Sequence, residues 1–316
     1  MTHTAQKPRH KGRRFDPSPG KIRYSRRWIG ATVAGGVLTT AALATGRLKT
    51  TALLGSIGAT SLAYATLYEP RSPRLERITL NLPRLPLALD GLRIGQISDM
   101  HLGLRYTTEN SRWAVHQMAA EEPDMLVFTG DFVSYEHAIA ELPFVLEGLP
   151  RAPLGRFAVP GNHDYWEGVP EIKQTLTDLD IEMLINEHRP VTIGKETLVV
   201  AGLDDMWDGV PDIEVTLQHA PPQSVRLLLA HCPDALDYII RGQRIDVQLS
   251  GHTHGGHMRL PGLGSFCLPR FGWHYASGHF HVNETQLYVS RGLGGLPLRL
   301  GCPPEATIFT LQRGSA

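Results

Sequence analysis

The chain has 316 residues, 42% of them hydrophobic, and 31 Lys/Arg balance 31 Asp/Glu. This length fits one large domain with an appendage or two small domains, and the composition excludes a disordered chain or an evident nucleic-acid binder. The neutral sum hides two unequal parts: residues 1–71 carry 12 basic side chains against Asp16 and Glu69, whereas 72–316 carry 19 basic against 29 acidic, so a basic arm precedes an acidic globular domain.

Residues 1–27 hold nine Lys/Arg and one acid among Pro, Ser and Gly, the signature of a disordered basic tail. Two uncharged runs of 19 residues follow, Trp28 to Gly46 and Thr50 to Tyr68, separated by Arg47, Leu48 and Lys49. Each is near the ~20 residues that cross a bilayer as a helix, so one or two transmembrane helices are expected over 28–68 and a cell-membrane location with them. If both runs span, they form a tight hairpin and the large domain returns to the cytoplasmic side. If only the first spans, that domain lies outside. Arg71, Arg74 and Arg77 favour the hairpin by the positive-inside rule. Residues 69–89 read as a linker with a candidate edge strand over Ile78–Leu89, and the catalytic domain as 90–316.

From Leu92 onward one pattern recurs: a short apolar run, then a turn carrying Asp, His or Asn. Leu92–Ile97 leads into Asp99 and His101, Met125–Thr129 into Gly130-Asp131, and Phe157–Val159 into Gly161-Asn162-His163-Asp164. Val225–Ala230 leads into His231, and Ile245–Leu249 into Gly251-His252-Thr253-His254. Short apolar runs bounded by Gly or Pro are buried strands, and the stretches Thr107–Ala120 and Pro170–Leu179 suit helices. Alternating strands and helices give an α/β fold whose ligand site lies beyond the carboxyl ends of the strands, where every polar cluster falls.

Asp, His and Asn without Cys suit manganese, iron or zinc rather than calcium. Asp99, His101, Asp131, Asn162, His231, His252 and His254 are more ligands than one ion takes, so two divalent metal ions are expected. Gly130, Gly161 and Gly251 stand directly before ligands, where a tight turn brings backbone close to the metals and favours φ > 0. Cys232, Cys267 and Cys302 show neither zinc-knuckle nor redox spacing.

In this order, D-x-H, G-D, G-N-H-D, an isolated His and G-H-T-H resemble the calcineurin-like metallophosphoesterases over roughly residues 90–311. Leu-Asp-Gly-Leu-Arg-Ile at 89–94, Arg291-Gly-Leu-Gly and Pro303-Pro-Glu resemble the small bacterial membrane-associated members, some of which cleave a UDP-linked diacylglucosamine lipid. The resemblance implies two mixed β-sheets packed as a sandwich and flanked by helices. It implies Asp99, His101, Asp131 and His254 around one metal, and Asp131, Asn162, His231 and His252 around the other, with Asp131 bridging; an ionised carboxylate can offer one oxygen to each cation. His163 would be the general acid, or a donor to the phosphoryl oxygens. Ser134 stands where the family often has a second Asp, which leaves the group orienting His163 open, and His257 where relatives often have Gln.

The implied activity is hydrolysis of a phosphate ester or pyrophosphate, by in-line attack of a hydroxide formed near neutral pH. A lipid-linked or envelope substrate is expected beside the anchor. The alternative is a non-catalytic scaffold or membrane interaction module of the same fold.

Overall fold

The computed structural model describes residues 22–238, 240 and 242–314. The basic arm up to residue 21 lies outside the described residues. A two-residue strand, β1 (Arg23–Tyr24), precedes helices α1 (Arg26–Ala44) and α2 (Leu48–Ala63). The globular part then runs β2 (Arg74–Leu82), β3 (Arg93–Ile97), α3 (Thr107–Glu121), β4 (Met125–Thr129), α4 (Leu142–Leu146), β5 (Arg156–Val159), α5 (Asn162–Glu167), α6 (Val169–Asp178) and β6 (Glu182–Met183). It continues with β7 (Glu187–Ile193), β8 (Glu196–Gly202), α7 (Ile213–Thr216), β9 (Val225–Leu229), α8 (Ala235–Tyr238) and β10 (Val247–Ser250). Short strands β11 (Arg259–Leu260), β12 (Gly264–Ser265) and β13 (Cys267–Leu268) precede β14 (Gly278–Val282), β15 (Thr285–Val289) and β16 (Glu305–Arg313).

The long strands form two six-stranded mixed sheets, β2-β16-β3-β4-β5-β6 and β14-β15-β10-β9-β8-β7. At their centres β3, β4 and β5, and β8, β9 and β10, pair in parallel. Parallel strands covered on both faces read as continuous apolar runs, which is why Met125–Thr129 is buried at every position. One core lies between the sheets, with Ile94, Val127 and Val159 from the first meeting Val200, Leu227 and Leu249 from the second. The outer faces are covered by α3, α4 and α6 on one side and by the α7–α8 region on the other. The expected α/β sandwich with flanking helices is therefore present.

The edge strand begins and ends earlier than the sequence suggests. It spans Arg74–Leu82 beside β16, and Leu87–Leu89 forms a 3-10 turn instead. Pro83 and Pro86 explain the stop, since neither can donate to the ladder.

The two uncharged runs fold as a helical hairpin. Its apolar side chains, Val37, Leu38, Leu53 and Leu62 among them, are exposed. Among the described residues no helix is long and apolar enough to cross a membrane. α1 spends its first two positions on Arg26 and Arg27, α2 ends after 16 residues, and Ala, Gly and Thr dilute both.

Both ends of the hairpin are fastened to the globular domain. Residues 22–27, expected to belong to a disordered tail, include β1, which pairs antiparallel with β13, and Trp28 Nε1 donates to Gly264 O at 2.9 Å. At the far end the buried Glu69 carboxylate accepts from the amides of Gly301 (3.0 Å) and Cys302 (2.6 Å), and Arg299 N donates to Ala65 O at 2.8 Å. Removing residues 1–63 is expected to leave a folded domain. In that shortened chain Glu69→Ala should lower stability by about 2 kcal/mol, the scale for hydrogen bonds to a charged group. Thermal denaturation checks it, and equal midpoints would show that Glu69 is not what fastens this end.

Candidate metal centre

Each of the seven ligand candidates follows the carboxyl end of a parallel strand. Asp99 and His101 follow β3, Asp131 follows β4, Asn162 opens α5 after β5, His231 follows β9, and His252 and His254 follow β10. All seven are buried. Asp99, His101 and His254 bring ligand atoms together in one group, Asp131, His231 and His252 in a second, and His101, Asp131 and His163 in a third. Within the first, His101 Nε2 lies 3.2 Å from His254 Nε2, and His254 Nε2 lies 3.6 Å from Asp99 Oδ1. Within the second, His252 Nδ1 lies 3.1 Å from His231 Nε2.

Asp131 joins the groups through a single oxygen. Its Oδ2 lies 3.3 Å from His101 Nε2 and 3.3 Å from His231 Nε2. Oδ1 is instead committed to the amide of His163 at 2.9 Å. One oxygen facing each group, which a bridging carboxylate can offer, is therefore not the arrangement here.

Hydrogen bonds on the far side of each ring fix which nitrogen faces inward. His231 Nδ1 donates to Thr129 O at 2.7 Å, and His252 Nε2 donates to Arg270 O at 2.7 Å, because a carbonyl can only accept. That leaves His231 Nε2 and His252 Nδ1 facing the centre, where each would offer a lone pair to a bound cation. His101 Nδ1 pairs with Ser134 Oγ at 2.8 Å. Ser134 thus orients His101 and not His163. The His163 ring is held by ring contacts, 4.6 Å from His101 and 4.3 Å from Trp166.

Two observations test whether a cation fits. Asn162 Oδ1 is buried with no hydrogen-bond partner, the expected condition of an acceptor whose partner is an ion. The charges also fit. Burial holds His101 and His252 down at about 3, so both are neutral ligands. Burial works against ionising Asp131, yet His231 and His101 keep it far below the ordinary carboxylate range. Burial would lower His231, but Asp131 outweighs it and lifts the imidazole to about 10. The pocket therefore stabilises positive charge beside Asp131, which a divalent cation can supply in place of a proton.

Residues 92–256 match the family model described as calcineurin-like phosphoesterase. The chain belongs to that family. An uncharacterized metallophosphoesterase of Bacillus subtilis (strain 168), YkuE, is 33% identical over 79% of this chain and 89% of its own length. The phosphodiesterase YaeI of Escherichia coli (strain K12) is 33% identical over 60% of this chain and 71% of its own. UDP-2,3-diacylglucosamine pyrophosphatase LpxG of Chlamydia trachomatis is 28% identical over 78% and 91%. As a metallophosphoesterase, the chain is a hydrolase acting on phosphate esters, in a family that uses divalent metals.

The ligand turns of this metallophosphoesterase are strained. Asp99, His101, Asp131, His252 and His254 all have φ between +49° and +73°. Left-handed backbone at non-glycine residues costs about 1–3 kcal/mol each and clusters at functional sites. Of the three glycines preceding ligands, only Gly130 has a positive φ (+87°). Gly161 and Gly251 serve close approach instead, since a Cβ would stand 2.2 Å from Asp131 Oδ1 and 2.1 Å from Asp99 Oδ2.

Three residues at the site have roles that the motif pattern did not assign. Asp164 is fully buried and accepts from the amides of Asp131, Phe132 and Gly161 at 2.8–2.9 Å, tying two ligand turns together. Its place three residues after Gly161 at a helix start is the capping signal that could have revealed this. Arg299 is buried with Nη2 3.1 Å from His254 Nδ1, and nothing in the local sequence announces it. His257 stacks on His254 at 4.9 Å, so its contact is with a ligand candidate.

Ser134→Ala removes the only partner of His101 Nδ1 found among the described residues. Metal affinity or turnover should fall by about 10- to 100-fold, the range for losing an outer hydrogen bond to a ligand. Titration of metal into the apo-variant reads this, and wild-type affinity together with wild-type turnover would remove Ser134 from the centre.

Proposed function

We propose that the chain is a dinuclear metallophosphoesterase held at a membrane by residues 28–68, and that its substrate is a lipid-linked or envelope phosphate ester or pyrophosphate. The observation that carries the two-metal part is Asp131 Oδ2, equidistant from imidazole nitrogens of two separate ligand groups. Asp99, His101, Asp131 and His254 would hold one cation, and Asp131, Asn162, His231 and His252 the other, with manganese, iron or zinc the chemical fit. When bound, such a pair lowers the pKa of coordinated water and offsets charge on phosphoryl oxygens.

The protein's own groups supply position and protons. Asp131 fixes the spacing of the two groups, and Asn162 contributes a neutral oxygen that adds no negative charge against the phosphate. His163 stands above Asp131 with its amide pinned to Oδ1, and its ring is free to donate to a phosphoryl or leaving-group oxygen. Water is excluded on the far side by the sandwich core.

The membrane part is supported by the exposed apolar hairpin and by its attachment. Both ends are hydrogen-bonded to the same domain, which favours the hairpin topology over a single span. The catalytic domain then shares a side with the basic arm, the cytoplasmic side by the positive-inside rule. LpxG, whose name specifies a diacylglucosamine substrate, supports a lipid-linked phosphate. The domain boundaries read from the sequence are revised in this proposal at two places: residues 22–27 leave the tail, since β1 pairs with β13, and residues 69–89 belong with the globular domain.

Asp131→Asn replaces a charged acceptor by an amide with a single good acceptor oxygen, so occupancy of both sites should fall together and turnover vanish. His101→Ala should weaken mainly one site and Asn162→Ala the other. Elemental analysis alongside hydrolysis of bis(p-nitrophenyl) phosphate measures this. Two metals per chain and near-normal turnover in Asp131→Asn would end the dinuclear reading.

The substrate class is tested by offering detergent-solubilised protein phospholipids, UDP-sugar lipids and soluble nucleotides. Preferential hydrolysis of a lipid-linked member is the expected result. Good turnover of nucleotides with none on any lipid would refute it.

A further inference from the structure

An exposed indole stands beside the candidate metal centre; it supports the His163 ring by contact but is neither a metal ligand candidate nor a proton donor in the proposed chemistry. Trp166 is 52% exposed, although it sits in α5 only four residues after Asn162. Its ring lies 4.3 Å from His163, whose ring in turn lies 4.6 Å from His101. Trp207 meets Trp166 edge-on at 6.2 Å and His252 edge-on at 5.7 Å. The two tryptophans thus form a wall running from one ligand group across to His163.

This wall is rigid. Trp166 Nε1 donates to Asp208 Oδ2 at 2.6 Å, and the neighbouring Tyr165 hydroxyl donates to Asp204 Oδ1. The loop that supplies both carboxylates is closed on itself. Asp205 Oδ2 accepts from the amides of Trp207 (2.7 Å) and Asp208 (2.8 Å), and Asp204 Oδ2 accepts from Val210 N at 2.8 Å. Asn186 Oδ1 bonds the amides of Asp204 and Asp212 from outside. An exposed aromatic ring costs solvation, and fixing it removes rotamer freedom in advance, which is how a binding surface is pre-organised. Here the lining is rings with carboxylates behind them.

We infer that Trp166 is a specificity-determining residue, forming with Trp207 a subsite for a planar ring carried on the ester group next to the scissile phosphate. This rests on the phosphoesterase reading above and names which group of the substrate is recognised. A phosphate seated between the ligand groups places a substituent on the His163 side over the indole, one ring contact beyond the imidazole. Base–aromatic and aromatic–aromatic stacking discriminate by roughly 2- to 100-fold, whichever ring is offered.

The test is calorimetric binding of phenylphosphonate, cyclohexylphosphonate and methylphosphonate to the manganese-loaded full chain. These probes share the phosphonate and differ only in the group that would meet the wall. Binding is read without turnover, so the result is separable from failure of the catalytic assignment, which the bis(p-nitrophenyl) phosphate assay reports. The expected wild-type order is phenyl over methyl by about 10-fold, with cyclohexyl between them. Trp166→Ala should erase the phenyl preference while methylphosphonate binds as before, and Trp166→Phe should keep most of it. The inference is overturned if the wild type shows no phenyl preference, if Trp166→Ala retains it, or if cyclohexyl binds as tightly as phenyl. Equal weakening of all three probes would also overturn it, by showing that Trp166 acts through the centre and not through a subsite.

Discussion

The Asp131 carboxylate sits fully enclosed, with imidazole nitrogens of His101 and His231 each 3.3 Å from one oxygen and the amide of His163 on the other. Three separate strand ends therefore converge on one side chain. Buried in a low dielectric, an ionised carboxylate is tolerable only where opposite charge or hydrogen-bond donors answer it, and here both oxygens have polar partners. Asp164 acts on the same turn from behind, holding the amides of Asp131, Phe132 and Gly161 so that the carboxylate is aimed and not merely present. Position of the ligands and position of His163 are consequently one problem with one solution.

Keeping five ligand candidates in left-handed backbone has to be offset elsewhere. Hydrogen bonds between the turns do part of this: Asp99 N donates to Gly130 O (2.9 Å), His101 N to Asp131 O (3.0 Å) and Gly251 N to His231 O (3.0 Å). The glycine-rich segment after β15 completes the cage, with Leu293 N bonded to Ser98 O (3.1 Å) and Gly294 N to Asp99 O (2.7 Å). Gly294 could not be larger, since a Cβ would stand 2.2 Å from the carbonyl of Met100. Strain at the site is thus carried by a rigid α/β frame, as expected where geometry must precede binding.

The N-terminal arm reaches this cage through one intermediate segment. β1 pairs with β13, Arg23 lies over the Trp273 ring at 3.6 Å, and between them the carbonyl of Arg270 takes the hydrogen bond that fixes His252. At the other end Glu69 caps the turn next to Arg299, which touches His254. The apolar hairpin and the centre are therefore adjacent parts of one body.

Much of the site was legible in the sequence because each ligand candidate is announced locally: a buried strand reads as an apolar run, and the turn after it carries Asp, Asn or His, in three of the five turns directly after Gly. The alternation of such runs with helical stretches was enough for an α/β fold, and the five-part order for the family. Other features were not legible, since they depend on residues far apart in the chain. That Ser134 serves His101, that Arg299 lies against His254, and that Trp207 meets both Trp166 and His252 are outcomes of which strands neighbour which. The uncharged runs at 28–68 show the limit from the other direction. Length and absence of charge are sequence properties, but where α1 and α2 begin and end, and what fastens them, was decided by pairing with β13 and by Glu69 reaching Gly301 and Cys302. Local chemistry fixes the vocabulary of turns and ligands; only the folded sandwich brings Asp131 within reach of His101 and His231, because distances between strand ends are set by sheet order and not by spacing along the chain.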